Sequence, residues 1–210
     1  MIQILNDVAT EGLVGRIAFP FGQITAGGIG VIEQQYTAGA AIANTTTETS
    51  LMTPSLFAPQ INGNPAITSA NSTLSGIPGN FLALGTSFQK KVVGTIANTG
   101  TPTLRTRVVL RNTSTNAIVY TLADTTAVAM TTTSTTDFEV NFDLMTRAVG
   151  TSGAIYGRVS HRYANTTVYA AVTTTTVDTT QSYYFDVLVT WGAASASNTI
   201  TPFWSVLRVE

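Results

Sequence analysis

The sequence predicts an all-β chain, an antiparallel jelly-roll-like β-sandwich with an extended N-terminal arm. Three observations carry that expectation. Stretches in which apolar and polar residues alternate at period two recur through the second half of the chain, separated by Gly-, Asn- and Ser-rich turns. Threonine makes up roughly a fifth of the residues, several times its usual share, and its branched side chain suits a pleated surface that must stay wettable without charge. No window repeats apolar residues convincingly at helical spacing.

Residues 1–45 read as the arm, an assembly contact, and residues 46–210 as the sandwich domain. The arm, which includes FGQITAGGIGVIEQQYTAGAAIANTTT, is rich in Gly and Ala and carries Asp7, Glu11, Arg16 and Glu33 as its charges. Its apolar clusters, Ile2, Ile4 and Leu5, then Ile17, Phe19 and Phe21, cannot bury themselves alone; they suit strand addition to a neighbour or docking in a groove. The competing reading makes them an ordinary first hairpin of the same domain. From 46 to 80 the chain reads as loop, broken by Pro54, Pro59, Pro65 and Pro78, with a short strand allowed around TETSLM.

Regular strands then follow. FQKKVVGTIAN alternates from Phe88 onward, which fixes a strand without fixing its buried face. In TLRTRVVLR, Leu104, Thr106, Val108 and Leu110 oppose Arg105, Arg107 and Arg111, and AIVYTLA follows after a turn at 112–116. DFEVNFDLMTRAVG sets Phe138, Val140, Phe142 and Leu144 against Glu139, Asn141, Asp143 and Arg147, and so must be half buried. AIYGRVSHRY places Ile155, Val159 and Tyr163 opposite Tyr156, Arg158 and Arg162. TTVYAAV comes next. SYYFDVLVTW then puts Phe185, Val187, Val189 and Trp191 on one side and Asp186, Leu188 and Thr190 on the other; Gly192 ends it, and TITPFWSVLRV closes the chain. These make about eight strands, the number of a jelly roll. The sparse charges fall on the polar faces of neighbouring strands, where opposite charges fix register at about 0.2–1 kcal/mol per pair.

Composition limits function. Net charge is −1, charged residues are 10% of the chain and the pI is about 5.8, so no field attracts nucleic acid or an anionic membrane. The arm holds one Arg and no Lys, unlike a genome-binding arm. So few charges protect poorly against self-association, which suits a protein that sits in an assembly; the alternative is a merely Thr-rich soluble domain. The lack of cysteine excludes disulfides and thiolate chemistry. The N-terminus shows no secretion signal and no stretch approaches a membrane span, so the chain is expected to stay in the producing cell's cytosol until released.

Candidate sites are few. His161 is the only histidine, and a catalytic role needs a nucleophile and an orienting carboxylate beside it; the alternative is a strand residue bonded locally. Asp124, Asp137 and Asp178 near turns are the available oxygen ligands for calcium. GGIGVIE lacks the third Gly of a dinucleotide fingerprint and reads as a flexible segment. The sequons at Asn44, Asn71, Asn112 and Asn165 follow from the abundance of Thr. Asp137 and Glu139 share one strand face, whereas a glycosidase needs two carboxyls across a cleft. Tyr156, Tyr163, Tyr169, Tyr183, Tyr184, Phe203 and Trp204 form a sugar-binding platform only if several share an exposed face; core or subunit interface is the alternative. No residue is assigned a catalytic, cofactor-binding or metal-binding role, and no cofactor is expected.

Residues 74–210 carry IPGNFLALGTSFQKKVVGTIANTGTPTLRTRVVL, then DFEVNFDLMTRAVGTSGAIYGRVSHR and DTTQSYYFDVLVTWGAASASNTITPFWSVLRVE. In their order, with GTPTLRTRVVL, the Arg147–Gly153 turn and the WGAASASNTIT tail, they resemble a domain recurring in structural proteins of tailed bacteriophages. The resemblance implies a β-sandwich module on the virion surface, commonly trimeric, with no catalytic residues. The expected function is that of a non-enzymatic capsid decoration or cement protein, assembled in the host cytoplasm. Its expected partners are other copies of itself in a homotrimer and the major capsid protein or adjacent virion proteins. The alternative is a tail-fibre or baseplate module that binds host surface glycans.

Overall fold

Period-two alternation becomes two antiparallel sheets packed face to face. The computed structural model describes residues 16–19, 22–25, 30–35, 38–51, 79–112, 115, 117–164, 166–170 and 173–209. Their strands are β1 (Arg16–Phe19), β2 (Gly22–Thr25), β3 (Gly30–Gln35), β4 (Ile42–Ala43), β5 (Thr49–Ser50), β6 (Ser87–Asn98), β7 (Thr103–Asn112) and β8 (Ile118–Asp124). After these come β9 (Val128–Ala129), β10 (Thr133–Ala148), β11 (Gly153–Tyr163), β12 (Thr166–Tyr169), β13 (Thr173–Val177), β14 (Tyr183–Trp191) and β15 (Thr199–Val209). No helix occurs among the described residues, and hence none there long and apolar enough to cross a membrane.

The larger sheet runs β12–β11–β10–β6–β15–β3, with β13 also paired to β11 and β4 to β15; the smaller runs β5–β14–β7–β8, with β9 on β7. β6 and β15 pair in the first sheet, and the strands next to them in sequence, β7 and β14, pair in the second. This paired crossing from sheet to sheet gives the sandwich its jelly-roll-like winding. The middle of the chain returns more locally, as the hairpins β7–β8 and β10–β11. β1 and β2 pair with each other.

The inner faces follow the expected alternation. β6 buries Phe88, Lys90, Val92, Ile96 and Asn98, which settles the face that its sequence leaves open. β10 buries Phe138, Val140, Phe142 and Leu144, and β11 buries Ile155, Val159 and Tyr163. Phe185 of the smaller sheet bridges the layers, its ring centroid 5.1 Å from that of Phe88 and 5.5 Å from that of Phe142. Tilted and edge-on rings at such distances add to the stabilisation from apolar burial.

β14 differs from the half-buried strand expected. Asp186 and Leu188, on its second face, are 2% and 1% exposed. The segment around β5 covers that face: Leu51 N–H donates to the Val187 carbonyl, Ser50 Oγ donates to Asp186 at 2.5 Å, and Arg107 pairs with Glu48. Arg111 Nε also reaches Asp186, at 2.7 Å. Burial pushes the Asp186 carboxyl above the usual carboxylate range, against these hydrogen bonds.

One lateral edge of the sandwich is closed by hydroxyls. Thr173 and Thr175 of β13 donate to the Leu122 and Thr121 carbonyls of β8 at 2.8 and 3.0 Å. The approach needs Gly157 on β11, where a Cβ would stand 2.8 Å from the Leu122 oxygen. The segment following β14 is not a slack loop. Asn198, 2% exposed, donates through Nδ2 to the Ala193 carbonyl and accepts from Thr99 N–H, and Gly192 N–H binds the Thr103 carbonyl.

Part of the stretch read as an arm is seen on the sandwich itself. β3 pairs with Ser205–Val209 and β4 with Thr199–Ile200, both on β15 of the same chain. The GGIGVIE stretch read as flexible is strand from Gly30 onward. The clusters at Ile2, Ile4, Leu5 and Phe21, the prolines from Pro54 to Pro78, and the sequons Asn71 and Asn165 lie outside the described residues.

Candidate functional site

The outward face of the larger sheet is where exposed apolar side chains, hydrogen-bonding groups and surface depressions coincide. Strand register lays its side chains in rows across the sheet. Tyr156, Met145 and Ser87 form one row, and Arg158, Asp143, Gln89 and Arg208 the next. Then come Tyr169, Ser160, Asn141, Lys91 and Val206, followed by Thr167, Arg162, Glu139, Val93 and Trp204. A bulge between Pro202 and Trp204 shifts the β15 register, and Phe203 and Trp204 are both exposed, at 41% and 39%.

Three of the cations on this face pair with carboxylates, while Arg208 is exposed and makes no ion pair among the described residues. Arg158 Nη2 reaches Asp143 Oδ2 at 2.6 Å, Lys91 Nζ reaches Glu139 Oε2 at 2.6 Å, and Arg162 approaches the same carboxylate at 3.7 Å. Partial burial opposes charge on Glu139, but hydrogen bonds from Lys91 and Asn141 and the nearby Arg162 hold its carboxyl below the usual range. Two cations lie over rings, Lys91 over Trp204 at 6.0 Å and Arg147 over Tyr156 at 5.7 Å. Two depressions open here. One, about 480 Å³, is lined by Ser87, Gln89, Asp143, Met145, Tyr156 and Arg158 above Phe88 and Leu144. The other, about 150 Å³, lies beside Lys91, Asn141, Trp204 and Arg208.

The seven aromatics singled out in the sequence divide. Tyr163, Tyr183 and Tyr184 are buried, whereas Tyr156, Tyr169, Phe203 and Trp204 are exposed. Asp143 and Arg158 were legible only as polar-face residues, and Gln89 only as a strand residue whose face was open. Their convergence depends on the β11–β10–β6 register, which no local pattern encodes.

His161 lies on the inner side of β11, wholly buried between the sheets. Its Nδ1 is 2.9 Å from Thr106 Oγ1 of β7, and its ring sits near those of Phe138 and Tyr163. Burial pushes its pKa down to about 4, so it is neutral at pH 7. Two of the three candidate calcium ligands, Asp124 and Asp178, have carboxylates occupied by other partners. Asp124 is gripped in bidentate fashion by Arg105, which holds its carboxyl below the usual range, and it also accepts from Thr126 N–H. Asp178 accepts from the backbone and hydroxyl of Thr180. Asp137 is on β10, where its carbonyl accepts from Ala164 N–H. Among the described residues no group of three His, Cys, Asp or Glu is placed to hold a metal ion. The Arg147–Gly153 turn is anchored by Thr179, whose Oγ1 accepts from Gly150 N–H and whose N–H binds the Gly150 carbonyl, with Gly150 at φ 101°.

Comparisons with protein-family models, with curated proteins and with solved structures give no match to this chain.

Proposed function

We propose that this chain is a non-enzymatic virion structural protein, a capsid decoration or cement protein that adheres to the major capsid protein and stabilises the head. The observation that carries the reading is the outward face of the larger sheet. Met145, Tyr156, Tyr169, Phe203 and Trp204 are exposed there, and Lys91, Arg158 and Arg162 beside them are paired with Glu139 and Asp143. Exposed apolar area among charges that are mostly paired favours adhesion over electrostatic capture. Burial of His161 removes it as a solvent-facing general base and so supports a role without turnover. The ordered resemblance of residues 74–210 to domains of tailed-phage structural proteins supplies the setting. Adhesion in many copies, through trimers, multiplies individually weak contacts.

Quantitative mass spectrometry of purified particles tests the reading. The expected result is a copy number comparable with that of the major shell subunit. A handful of copies per particle would move the protein to the tail. That second reading, a tail-fibre or baseplate module for host glycans, is favoured by the exposure of four aromatic rings together with a depression of mixed apolar and polar lining on the larger sheet.

A further inference from the structure

We infer that the larger depression, between the Tyr156–Met145–Ser87 row and the Arg158–Asp143–Gln89 row, is a binding site for a neutral saccharide unit. The inference deepens the glycan-binding reading and rests on it for biological meaning, although the chemistry of the site is the same at a head or a tail.

Three features select that ligand class. The first is size: about 480 Å³ lies within the range of small-ligand clefts, and the site is open to the surface, as the end or side of a glycan chain requires. The second is its mixed lining. Tyr156 and Met145 give an apolar wall for the C–H face of a pyranose ring, while Asp143, Arg158, Gln89 and Ser87 give acceptors and donors for hydroxyls. The Arg158–Asp143 contact joins one nitrogen to one oxygen. Asp143 Oδ1, Arg158 Nε and Nη1 and the Gln89 amide make no other hydrogen bond among the described residues. A vicinal diol is complementary to such a set, because each hydroxyl both donates and accepts.

The third feature is charge. The depression is lined by one cation and one anion, 2.6 Å apart and compensating each other, so it favours neither a phosphate nor an ammonium group. The nearby Arg147 is held over the Tyr156 ring and does not line the cavity. A neutral polyhydroxylated ligand leaves that pair intact and avoids burying a net charge.

The test is a titration of the full chain, by ligand-observed NMR and calorimetry. The probes are neutral hexoses, N-acetylhexosamines and their disaccharides, with sialic and glucuronic acid in parallel. The expected result is saturable binding of at least one neutral sugar at or below about 10 mM, weakened roughly tenfold or more in Tyr156→Ala and Asp143→Asn. Gln89→Ala, an exposed and structurally mild change, should weaken it in the same direction, and Trp204→Ala in the neighbouring depression should leave it unchanged. Near-UV circular dichroism establishes that each variant is folded. No binding of any sugar overturns both the site and the glycan reading. Binding that persists in all three site variants overturns the site and leaves the glycan reading standing. Binding confined to the acidic sugars overturns the neutral class.

Discussion

At the residue scale, the most informative position is His161. A wholly buried imidazole whose Nδ1 meets Thr106 Oγ1 joins β11 to β7 across the core, and Nε2 has no hydrogen-bond partner among the described residues. Desolvation pushes its pKa to about 4, from an ordinary value near 6.5. The sign of the linkage follows from proton uptake: between these two values the unfolded chain binds a proton that the folded chain refuses. Stability is therefore full above about pH 6.5 and falls as the pH drops to about 4, by roughly 3 kcal/mol in total. Asp124 and Glu139, with carboxyls held below the usual range, lose their contribution at lower pH, whereas Asp186, held above that range by burial, favours the folded chain as the pH falls and so opposes the histidine. Urea denaturation of the wild type and His161→Leu at pH 7 and pH 5 isolates it, because Asp186 titrates alike in both: the wild type should lose more stability than the variant between the two pH values. Equal losses in both would place the titrating group elsewhere. The sequence marked this residue as a strand position, Val159 and Tyr163 being its same-face neighbours. The contact with Thr106 depends on how two sheets stack and was not there to be read.

At the element scale, what was legible was periodicity. Each of the eight alternating segments, from FQKKVVGTIAN to TITPFWSVLRV, is a strand or contains one. What escaped was strand built without alternation. Thr173–Val177 reads TTTTV, with four identical residues and therefore no period, yet β13 pairs with Gly153–Gly157 and its hydroxyls bind β8. β14 shows the converse. Its alternation is real, but a neighbouring segment buries the second face through Ser50, Leu51 and Glu48, so a two-sided burial was hidden behind a one-sided pattern. The role of β13 makes a specific expectation. Thr173→Val with Thr175→Val keeps shape and strand propensity but removes both donors to the β8 carbonyls. The double variant should be less stable by about 1–3 kcal/mol in chemical denaturation, the sum of two ordinary hydrogen bonds. A change below about 0.5 kcal/mol would mean that solvent satisfies those carbonyls and that the threonines serve only as pleated surface.

At the scale of the whole molecule, the question is which part holds the fold and which part reaches outward. β3 and β4 lie on β15 and extend the larger sheet by two edge segments, so both belong structurally with the sandwich. β1 and β2, by contrast, pair with each other in a two-stranded sheet of their own. β2 also lies against β3, but a two-stranded ribbon is marginal in water and gains stability from each further surface it packs on. On the proposed decoration reading that further surface is the capsid, and the hairpin is the segment to test for attachment. Replacing residues 1–29 by an initiator Met therefore removes the hairpin while keeping β3 on β15. The expected outcome is a truncated protein whose urea midpoint matches that of the full chain but which no longer co-sediments with particles lacking the endogenous copy. Retained co-sedimentation would move attachment to the outward sheet face, where Tyr156→Ala and Trp204→Ala become the decisive variants. A lowered midpoint would instead show that residues 1–29 contribute to the sandwich and are not an arm at all.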